Sequence, residues 1–263
     1  MADSAFVWFA KGVYMAEIIL NEKAWVETAI ESNSLGQKPG ETLMRLAKYY
    51  HSMGYKRSDI ERLLEGFVLR CDSSIGMPKW HPLISKCAAN AGKYPMINVA
   101  GVSITKMEMD AIGRLKGRLL QRLMFTLLCL AKYGNAVNPR NGNWVNRAPR
   151  EIFTLANITV TTSRQSLMIN DLWQAGYIGY SNIIDNINLN IKIVDEADSK
   201  EQVFVEDFRN LGNQYMKLVG ENYMECQNCG IVVKKTSNRQ KYCQACAVEM
   251  NIQATSDRRL TAA

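Results

Sequence analysis

The chain has 263 residues, of which 47% are apolar and 22% are charged, and its formal net charge is +7. This length exceeds the usual size of one domain, so we expect two or three domains. The most apolar stretch, residues 123–131, is far too short to cross a bilayer, and no signal peptide is evident. We therefore expect a cytoplasmic protein without a membrane partner.

The positive charge is concentrated in residues 101–150, which contain nine Lys and Arg against two Asp and Glu. In the rest of the chain the charges cancel. A concentrated basic segment is typical of proteins that bind a polyanion, most often nucleic acid. A solvated helix face explains the same charge equally well, so charge alone leaves both interpretations open.

The first part of the chain has a helical pattern. Apolar residues recur at helical spacing around residues 43–50, 60–68 and 80–91, which predicts three helices. The spacing does not fix the register of the opening segment, residues 6–31. We expect residues 1–100 to form a helical domain. The order of helix, glycine turn, helix and tryptophan-led helix resembles the helical modules attached to primases and phage replication proteins.

A long helix is predicted from Thr105 to Tyr133, passing through Gly113 and Gly117. Its second half has apolar residues on most faces, so we expect it to be buried. Three arginines lie four residues apart on one stripe of this helix: Arg114, Arg118 and Arg122. Such a stripe either binds phosphates or is the solvated face of the helix.

The next segment alternates short strands with helices. It predicts a strand at Trp144–Val145, a helix from Pro149 and a second helix over residues 163–175. Residues 177–181 and 188–193 favour two strands of a hairpin.

This order of a helix, a short helix, a turn, a helix and a two-stranded hairpin resembles the winged helix-turn-helix family. The passage from Asp171 to Ile178 resembles that family's transition from the recognition helix to the wing. The resemblance covers roughly residues 116–195, and it implies a winged-helix domain, which we place at residues 101–195, that binds duplex DNA.

The helix predicted over residues 163–175 has an apolar side and a polar side. The apolar side carries Met168, Ile169, Leu172 and Trp173. The polar side carries Ser163, Ser166, Asn170 and Gln174, with Arg164 beside them. Such side chains can hydrogen-bond to base edges in the major groove, and an Arg at the helix start can bind a phosphate. Arg147 and Arg150, in and after the preceding loop, are expected to add phosphate contacts.

Residues 196–221 predict a linker and a short helix, and residues 222–263 predict a small C-terminal domain with a tail. Four cysteines form two CxxC pairs separated by thirteen residues: Cys226 with Cys229, and Cys243 with Cys246. This spacing is typical of a zinc ribbon. Four thiolate ligands leave no open position for water, so we expect one structural Zn²⁺. Disulfides are disfavoured because nothing indicates export.

A hairpin is expected between the two cysteine pairs, turning at residues 236–238. Its basic residues are Lys234, Lys235, Arg239 and Lys241. With Tyr242 among them, these residues can bind a phosphate backbone and stack on a base. The alternative is that they only keep an exposed hairpin soluble. The strings 234–243 and 208–215 resemble the tail of uncharacterised proteins carried by phages and mobile elements of Gram-positive bacteria.

Catalytic motifs are missing from the sequence. It contains no P-loop and no GxGxxG, GxSxG or HExxH motif. The two histidines, His51 and His81, have no obvious nucleophile beside them in the sequence. We therefore expect that the protein is not an enzyme.

Together these patterns predict a mainly α protein with an N-terminal helical bundle, a central winged helix and a small C-terminal zinc ribbon with four cysteine ligands. We expect it to bind nucleic acid, in particular duplex DNA, in replication initiation or transcription control. The alternative is a protein-interaction module that docks on a host polymerase or a defence complex without binding DNA. Winged helices also bind proteins, and the four residues on the polar side of the helix over 163–175 include no Lys or Arg.

Overall fold

A computed structural model describes four stretches of the chain: residues 18–71, 76–182, 187–195 and 201–261. The described part of the protein is mainly α, with ten helices and short strands. The chain divides into two compact units, and the division lies between Ala100 and Gly101.

The described part of the first unit is built from four helices: α1 (Glu22–Glu31), α2 (Pro39–Ser52), α3 (Arg57–Cys71) and α4 (Met77–Asn90). Its core is filled by apolar side chains at helical spacing, among them Leu43, Leu46, Leu64, Phe67 and Ile84. The three helices predicted from this spacing are α2, α3 and α4. Helix α1 begins after Asn21, whose side chain accepts a hydrogen bond from the backbone N–H of Ala24 at 2.9 Å.

A buried carboxylate joins the beginning and the end of the first unit. The side chain of Glu22 is buried, forms an ion pair with Lys48, and accepts a hydrogen bond from the backbone N–H of Ile97 at 2.8 Å. Arg45 lies 3.8 Å from its other oxygen. These partners compensate a charge whose burial is otherwise unfavourable, so Glu22 has a structural role.

The second unit alternates helices with short strands. In chain order its described elements are β1 (Val102–Thr105), α5 (Lys106–Gly113), α6 (Arg118–Val137), β2 (Trp144–Val145), α7 (Pro149–Leu155), α8 (Thr162–Gln174), β3 (Ile178–Tyr180), β4 (Leu189–Ile191), β5 (Glu201–Val205), α9 (Leu211–Leu218), β6 (Tyr223–Glu225), β7 (Val232–Lys234) and α10 (Gln244–Thr261).

Within the described residues, the strands of this unit form three antiparallel sheets. β1 pairs with β5, β6 pairs with β7, and β4 lies between β2 and β3 in the third sheet. In that third sheet Trp144 is opposite Asn190, and Ile178 is opposite Ile191. Helix α6 passes through the interior, because residues 123–131 are all buried. The prediction that residues 119–128 are buried is therefore confirmed over residues 123–128, whereas Leu119 is exposed.

The helix predicted from Thr105 to Tyr133 is two helices, because the chain turns after Gly113. Gly117 has a φ of +91°, which a residue with a side chain rarely adopts. Gln121 holds the turn, since its Nε2 donates to the carbonyl oxygens of Gly113 at 3.2 Å and Leu115 at 2.9 Å. The prediction of one continuous helix is therefore wrong.

Much of the segment 196–221, predicted to be a linker and a short helix, is an integral part of the second unit. Strand β5 pairs with β1, so that Val205 lies opposite Val102. The predicted short helix is α9, and it packs on α6 with the rings of Tyr215 and Phe125 5.4 Å apart. The linker prediction is wrong over residues 201–210, because strand pairing outweighs the local acidic composition.

Glu108 joins three segments of the second unit through one buried carboxylate. It accepts hydrogen bonds from the backbone N–H groups of Thr105 at 2.8 Å and Asp195 at 2.9 Å. The Nζ atom of Lys132 lies 2.8 Å from it and also donates to the carbonyl of Ser103 at 2.7 Å. The buried charge is therefore paired and fully hydrogen-bonded.

Replacing this carboxylate should destabilise the fold. We predict that Glu108→Gln lowers the free energy of unfolding by about 3 kcal/mol, because the largely buried Lys132 loses its counter-charge. Urea unfolding followed by circular dichroism measures the change. Asp110→Asn is the matched control, since Asp110 is exposed on the same helix and should matter by less than about 0.5 kcal/mol. Equal effects of the two variants would contradict the role of Glu108.

Candidate metal centre and basic surface

Four cysteines meet in the C-terminal part of the second unit. The sulfur atoms of Cys226, Cys229, Cys243 and Cys246 all lie within 4.8 Å of one another, and all four residues are buried. The Sγ atoms of Cys229 and Cys243 are 3.8 Å apart. That separation fits two ligands of a tetrahedral ion with metal–sulfur bonds of about 2.3 Å. The cluster can therefore hold one metal ion.

A tight turn shapes the first cysteine pair. The backbone N–H of Gly230 donates to the carbonyl of Cys226 at 2.9 Å, and Gly230 has a φ of +73°. A residue with a side chain would be strained there, which explains the glycine directly after the pair. Strands β6 and β7 enter and leave this turn, with Tyr223 opposite Lys234. The second pair lies at the beginning of α10, where Cys246 is on the first turn.

The hairpin differs from the one predicted between the two cysteine pairs. β7 pairs with β6, which precedes Cys226, whereas residues 235–242 form a loop. Gln240 closes this loop, since its Oε1 accepts a hydrogen bond from the backbone N–H of Thr236 at 2.7 Å. The prediction of the strand partner is wrong because the first CxxC turn itself connects the two strands.

Hydrogen bonds to sulfur favour the thiolate form at one position of the cluster. Burial raises the pKa of Cys226, but backbone N–H groups of Cys229, Cys243 and Asn228 donate to its sulfur and bring the pKa down to about 6. The backbone nitrogen of Cys243 lies 3.2 Å from this sulfur. Burial raises the pKa of Cys229 and of Cys246. Binding of a metal ion therefore displaces protons from these thiols.

Arg209 brings a positive charge to the edge of the cluster. Its Nη2 donates to the carbonyl oxygen of Cys229 at 2.7 Å and to a carboxylate oxygen of Asp207 at 2.8 Å. Burial acts to lower the pKa of Arg209, but the hydrogen bonds and charge of Asp207 raise it overall. Sequence reasoning missed this residue, because cysteine spacing gives no information about a side chain that precedes α9.

The basic residues of the C-terminal hairpin and loop lie at the surface. Lys234, Arg239 and Lys241 are exposed, and Lys235 is half-buried. None of the four forms a salt bridge with another described residue. Their charges are therefore not neutralised by a carboxylate within that part of the chain.

Helix α8 has a buried and an exposed side. Thr161 caps it, accepting a hydrogen bond from the backbone N–H of Arg164 at 3.4 Å. The buried side consists of Met168, Ile169 and Leu172. The five predicted contact residues are all exposed: Ser163, Arg164, Ser166, Asn170 and Gln174.

Trp173 is an exception to the predicted pattern of α8. Its side chain is 45% exposed, and its ring lies 5.7 Å from the ring of Tyr180, which is also exposed. Trp173 was placed on the apolar side of this helix, but unlike Met168, Ile169 and Leu172 it is not part of the core and packs on Tyr180 at the end of β3. Leu167 is 52% exposed, so the solvent side of α8 also carries apolar groups.

The three arginines predicted to share a helix stripe are separated. Arg114 is exposed on the turn after α5, whereas Arg118 and Arg122 lie on α6, so the prediction of one stripe is wrong. Arg118 has a half-exposed side chain and pairs with Glu221 at 3.0 Å. Its Nη1 also donates to Oε1 of Gln121 at 2.9 Å.

Arg122 is half-buried, and its guanidinium is bound to backbone carbonyls of the protein itself. Its Nη2 donates to the carbonyl oxygen of Ala156 at 2.9 Å and also to that of Asn157. Burial lowers the pKa of Arg122. Its guanidinium therefore satisfies the end of α7, a use that helical spacing did not predict.

The arginines around the start of α7 remain at or near the surface. Arg147 is partly exposed and lies 3.4 Å from Glu151, one helical turn away. Arg150 is exposed. Such surface pairs are weak, so Arg147 can exchange its partner for another anion.

No protein-family model matches the chain, and no match was found among curated proteins or solved structures. No helix in the described stretches is long and apolar enough to cross a membrane.

Loss of one cysteine should weaken metal binding. We predict that the wild-type chain contains about one metal ion and that Cys243→Ser contains well under half of that, because a three-thiolate site binds more weakly. Elemental analysis by mass spectrometry measures the content. Cys71→Ser is the control, since that half-buried thiol lies in the first unit. A wild-type chain that is folded through α10 without metal would contradict the prediction.

Arg209 should strengthen metal binding without touching the ion. We predict that Arg209→Ala weakens metal affinity by about 10-fold to 100-fold, because it removes the hydrogen bond to the carbonyl of Cys229 and a positive charge near the cluster. Competition with a chromophoric chelator measures the affinity. Lys217→Ala, which breaks a surface pair with Glu225, should leave it unchanged. If both variants bind metal as tightly as the wild type, the hydrogen bond from Arg209 to Cys229 does not contribute to metal affinity.

Proposed function

We propose that this protein binds nucleic acid, in particular duplex DNA, through a winged helix-turn-helix in its second unit. The support is the chain order α6, β2, α7, α8, β3, β4, combined with a sheet in which β4 lies between β2 and β3. A helix-turn-helix followed by a two-stranded wing has this order. In such proteins the second helix of the motif, here α8, enters the major groove.

The observation that carries the proposal is the exposed row of short polar side chains on α8. Asn170 and Gln174 can pair with adenine, and Ser163 and Ser166 can pair with several base edges. Arg164 lies at the helix start, where it can bind a phosphate. The opposite side of α8 is packed in the core, so the helix is held with these residues outward.

Phosphate contacts come from basic residues at the surface of the same unit. The proposed set is Arg114, Arg118, Arg147 and Arg150, with Lys234, Lys235, Arg239 and Lys241 of the C-terminal hairpin and loop. Arg122 is left out, because its guanidinium is bound to backbone carbonyls.

The four-cysteine cluster is proposed to hold one structural Zn²⁺ as a zinc ribbon. Four sulfur ligands in a buried site suit the tetrahedral preference of Zn²⁺ and leave no position for a reactive water. The ion stabilises the turn between β6 and β7 and the beginning of α10. No catalytic step is assigned to it.

We propose a role without enzyme activity, in replication initiation or transcription control of a phage or mobile element. A helix that reads duplex DNA beside a zinc ribbon is suited to either process. The likeness of residues 234–243 to the tail of phage and mobile-element proteins supports this setting.

A second candidate function is docking on a host polymerase or a defence complex. It is favoured by the apolar groups Leu167 and Trp173 on the solvent side of α8, with Asp171 exposed near them. Aromatic residues are enriched in protein interfaces, and an acidic group opposes DNA. Leu167→Ala with Trp173→Ala should abolish capture of such a partner while DNA binding persists.

Binding to duplex DNA tests the proposal directly. We predict that the wild-type chain binds random-sequence duplex at low salt and that log affinity falls steeply with log salt. Fluorescence anisotropy over a salt series measures the slope. Absence of binding at about 50 mM salt would contradict the proposal.

Sequence preference tests the assignment of α8. Selection from randomised duplexes should enrich a motif with the wild-type chain, and Asn170→Ala with Gln174→Ala should reduce the preference about tenfold or more. Gln202→Ala, an exposed amide on β5, is the control. If the double variant selects the same motif as strongly, α8 does not read the bases.

A further inference from the structure

Two basic groups that are far apart in the sequence meet at one place in the second unit. The guanidinium of Arg118, at the beginning of α6, pairs with Glu221 at 3.0 Å. The next residue, Asn222, is bound to the end of β7: its carbonyl accepts from the backbone N–H of Lys235 at 2.9 Å, and its Nδ2 donates to the carbonyl of Lys235 at 3.2 Å. The start of α6 and the end of the hairpin are therefore neighbours.

Lys234 lies on the face of the hairpin that points away from the cysteine cluster. Val233 packs on the cysteine cluster, so the alternation along β7 places Lys234 on the opposite face. On that face its cross-strand neighbour is Tyr223, which is close enough to Arg122 to influence its pKa. The exposed side chain of Lys234 therefore lies on the same face of the hairpin as Tyr223.

The turn before α6 adds two more cations. Arg114 and Lys116 are exposed on either side of the buried Leu115. Gln121 holds this turn through two backbone carbonyls, so the charges are carried by a fixed backbone. No side chain caps the amino end of α6, and its partial positive charge adds to theirs.

Only one of the four cations in this region is paired with a carboxylate of a described residue. Glu221 pairs with Arg118, whereas Arg114, Lys116 and Lys234 have no salt bridge to any described residue. One turn further along α6, Arg122 binds the carbonyls of Ala156 and Asn157, in the turn that leads to α8. Arg122 therefore links α6 to the turn that precedes the helix proposed to enter the major groove.

We infer that Arg114, Lys116, Arg118 and Lys234 form one surface that binds the phosphate backbone of duplex DNA. This inference rests on the proposed function and extends it. It assigns the phosphate contacts to two elements, the beginning of α6 and the hairpin of β6 and β7. The surface reads no bases. It supplies salt-dependent affinity and fixes the orientation of α8 on the duplex.

The test compares two variants that lose the same number of charges. Arg114→Gln, Lys116→Gln and Lys234→Gln are combined in one variant, and the exposed Lys23, Lys56 and Lys79 of the first unit are changed to Gln in the other. The probe is a random-sequence duplex of about 20 base pairs, and the slope of log affinity against log salt is measured. In the variant with changes at Arg114, Lys116 and Lys234, the magnitude of the slope should fall by about 2 to 3. The control variant of the first unit should have the same slope as the wild type.

Two further variants separate charge from folding. Arg114→Lys, Lys116→Arg and Lys234→Arg together keep the charge and should keep the slope. Glu221→Gln removes the carboxylate that competes for Arg118 and should raise the affinity. Circular dichroism of every variant should match that of the wild type, since all changed side chains are at the surface.

The outcomes distinguish this surface from the proposed function itself. If the wild-type chain binds no duplex at low salt, the proposed function fails and the inference fails with it. If the wild type binds and the surface and control variants have equal slopes, only the inference fails. Competition by polyglutamate or by phosphatidylserine vesicles as strong as that by duplex DNA would also overturn it, because the surface would then recognise negative charge of any kind.

Discussion

The close approach of α9 to the end of α7 is the constraint on which the second unit depends. A Cβ atom at Gly212 would lie 1.9 Å from the carbonyl oxygen of Ala156, so glycine is required for this contact. The same carbonyl accepts a hydrogen bond from Arg122 at 2.9 Å, and the side chain of Asn157 donates to that of Asn213 at 2.9 Å. Polar groups at the ends of two helices are thus satisfied by protein partners, which allows them to be packed together.

This junction extends to the metal centre. Asn213 on α9 donates to the carbonyl of Val232 on β7 at 3.0 Å, and Arg209 before α9 donates to the carbonyl of Cys229 at 2.7 Å. Helix α9 is therefore bonded to the hairpin on one side and to α6 on the other. A metal ion that orders the cysteine turns also stabilises these contacts, because binding to the folded state alone favours that state. The C-terminal hairpin is in this sense a part of the second unit and not a module on a linker.

Local patterns were sufficient for some features and not for others. Two CxxC turns predicted the cysteine cluster because each turn brings its own two ligands together, and apolar spacing predicted α8 because one side of a helix must be buried. The pairing of β5 with β1 was missed, since it depends on a partner that is distant in the sequence. Arg122 was also misassigned. Arg118 and Arg122 belong to the same four-residue spacing in the sequence. Only the fold, which places the carbonyl of Ala156 beside Arg122, shows that this guanidinium is bound to the backbone.

The basic excess of residues 101–150 therefore has two physical meanings. Lys132 compensates the buried Glu108, and Arg122 binds carbonyls, so neither charge is offered to a partner. Arg114 and Lys116 keep their charges at the surface. A polyanion could interact only with the surface cations of this segment, and they are fewer than its net charge suggests. Affinity for a phosphate backbone grows with the number of contacts, so the proposed DNA binding requires cations from other parts of the chain, and the C-terminal hairpin carries exposed ones such as Lys234.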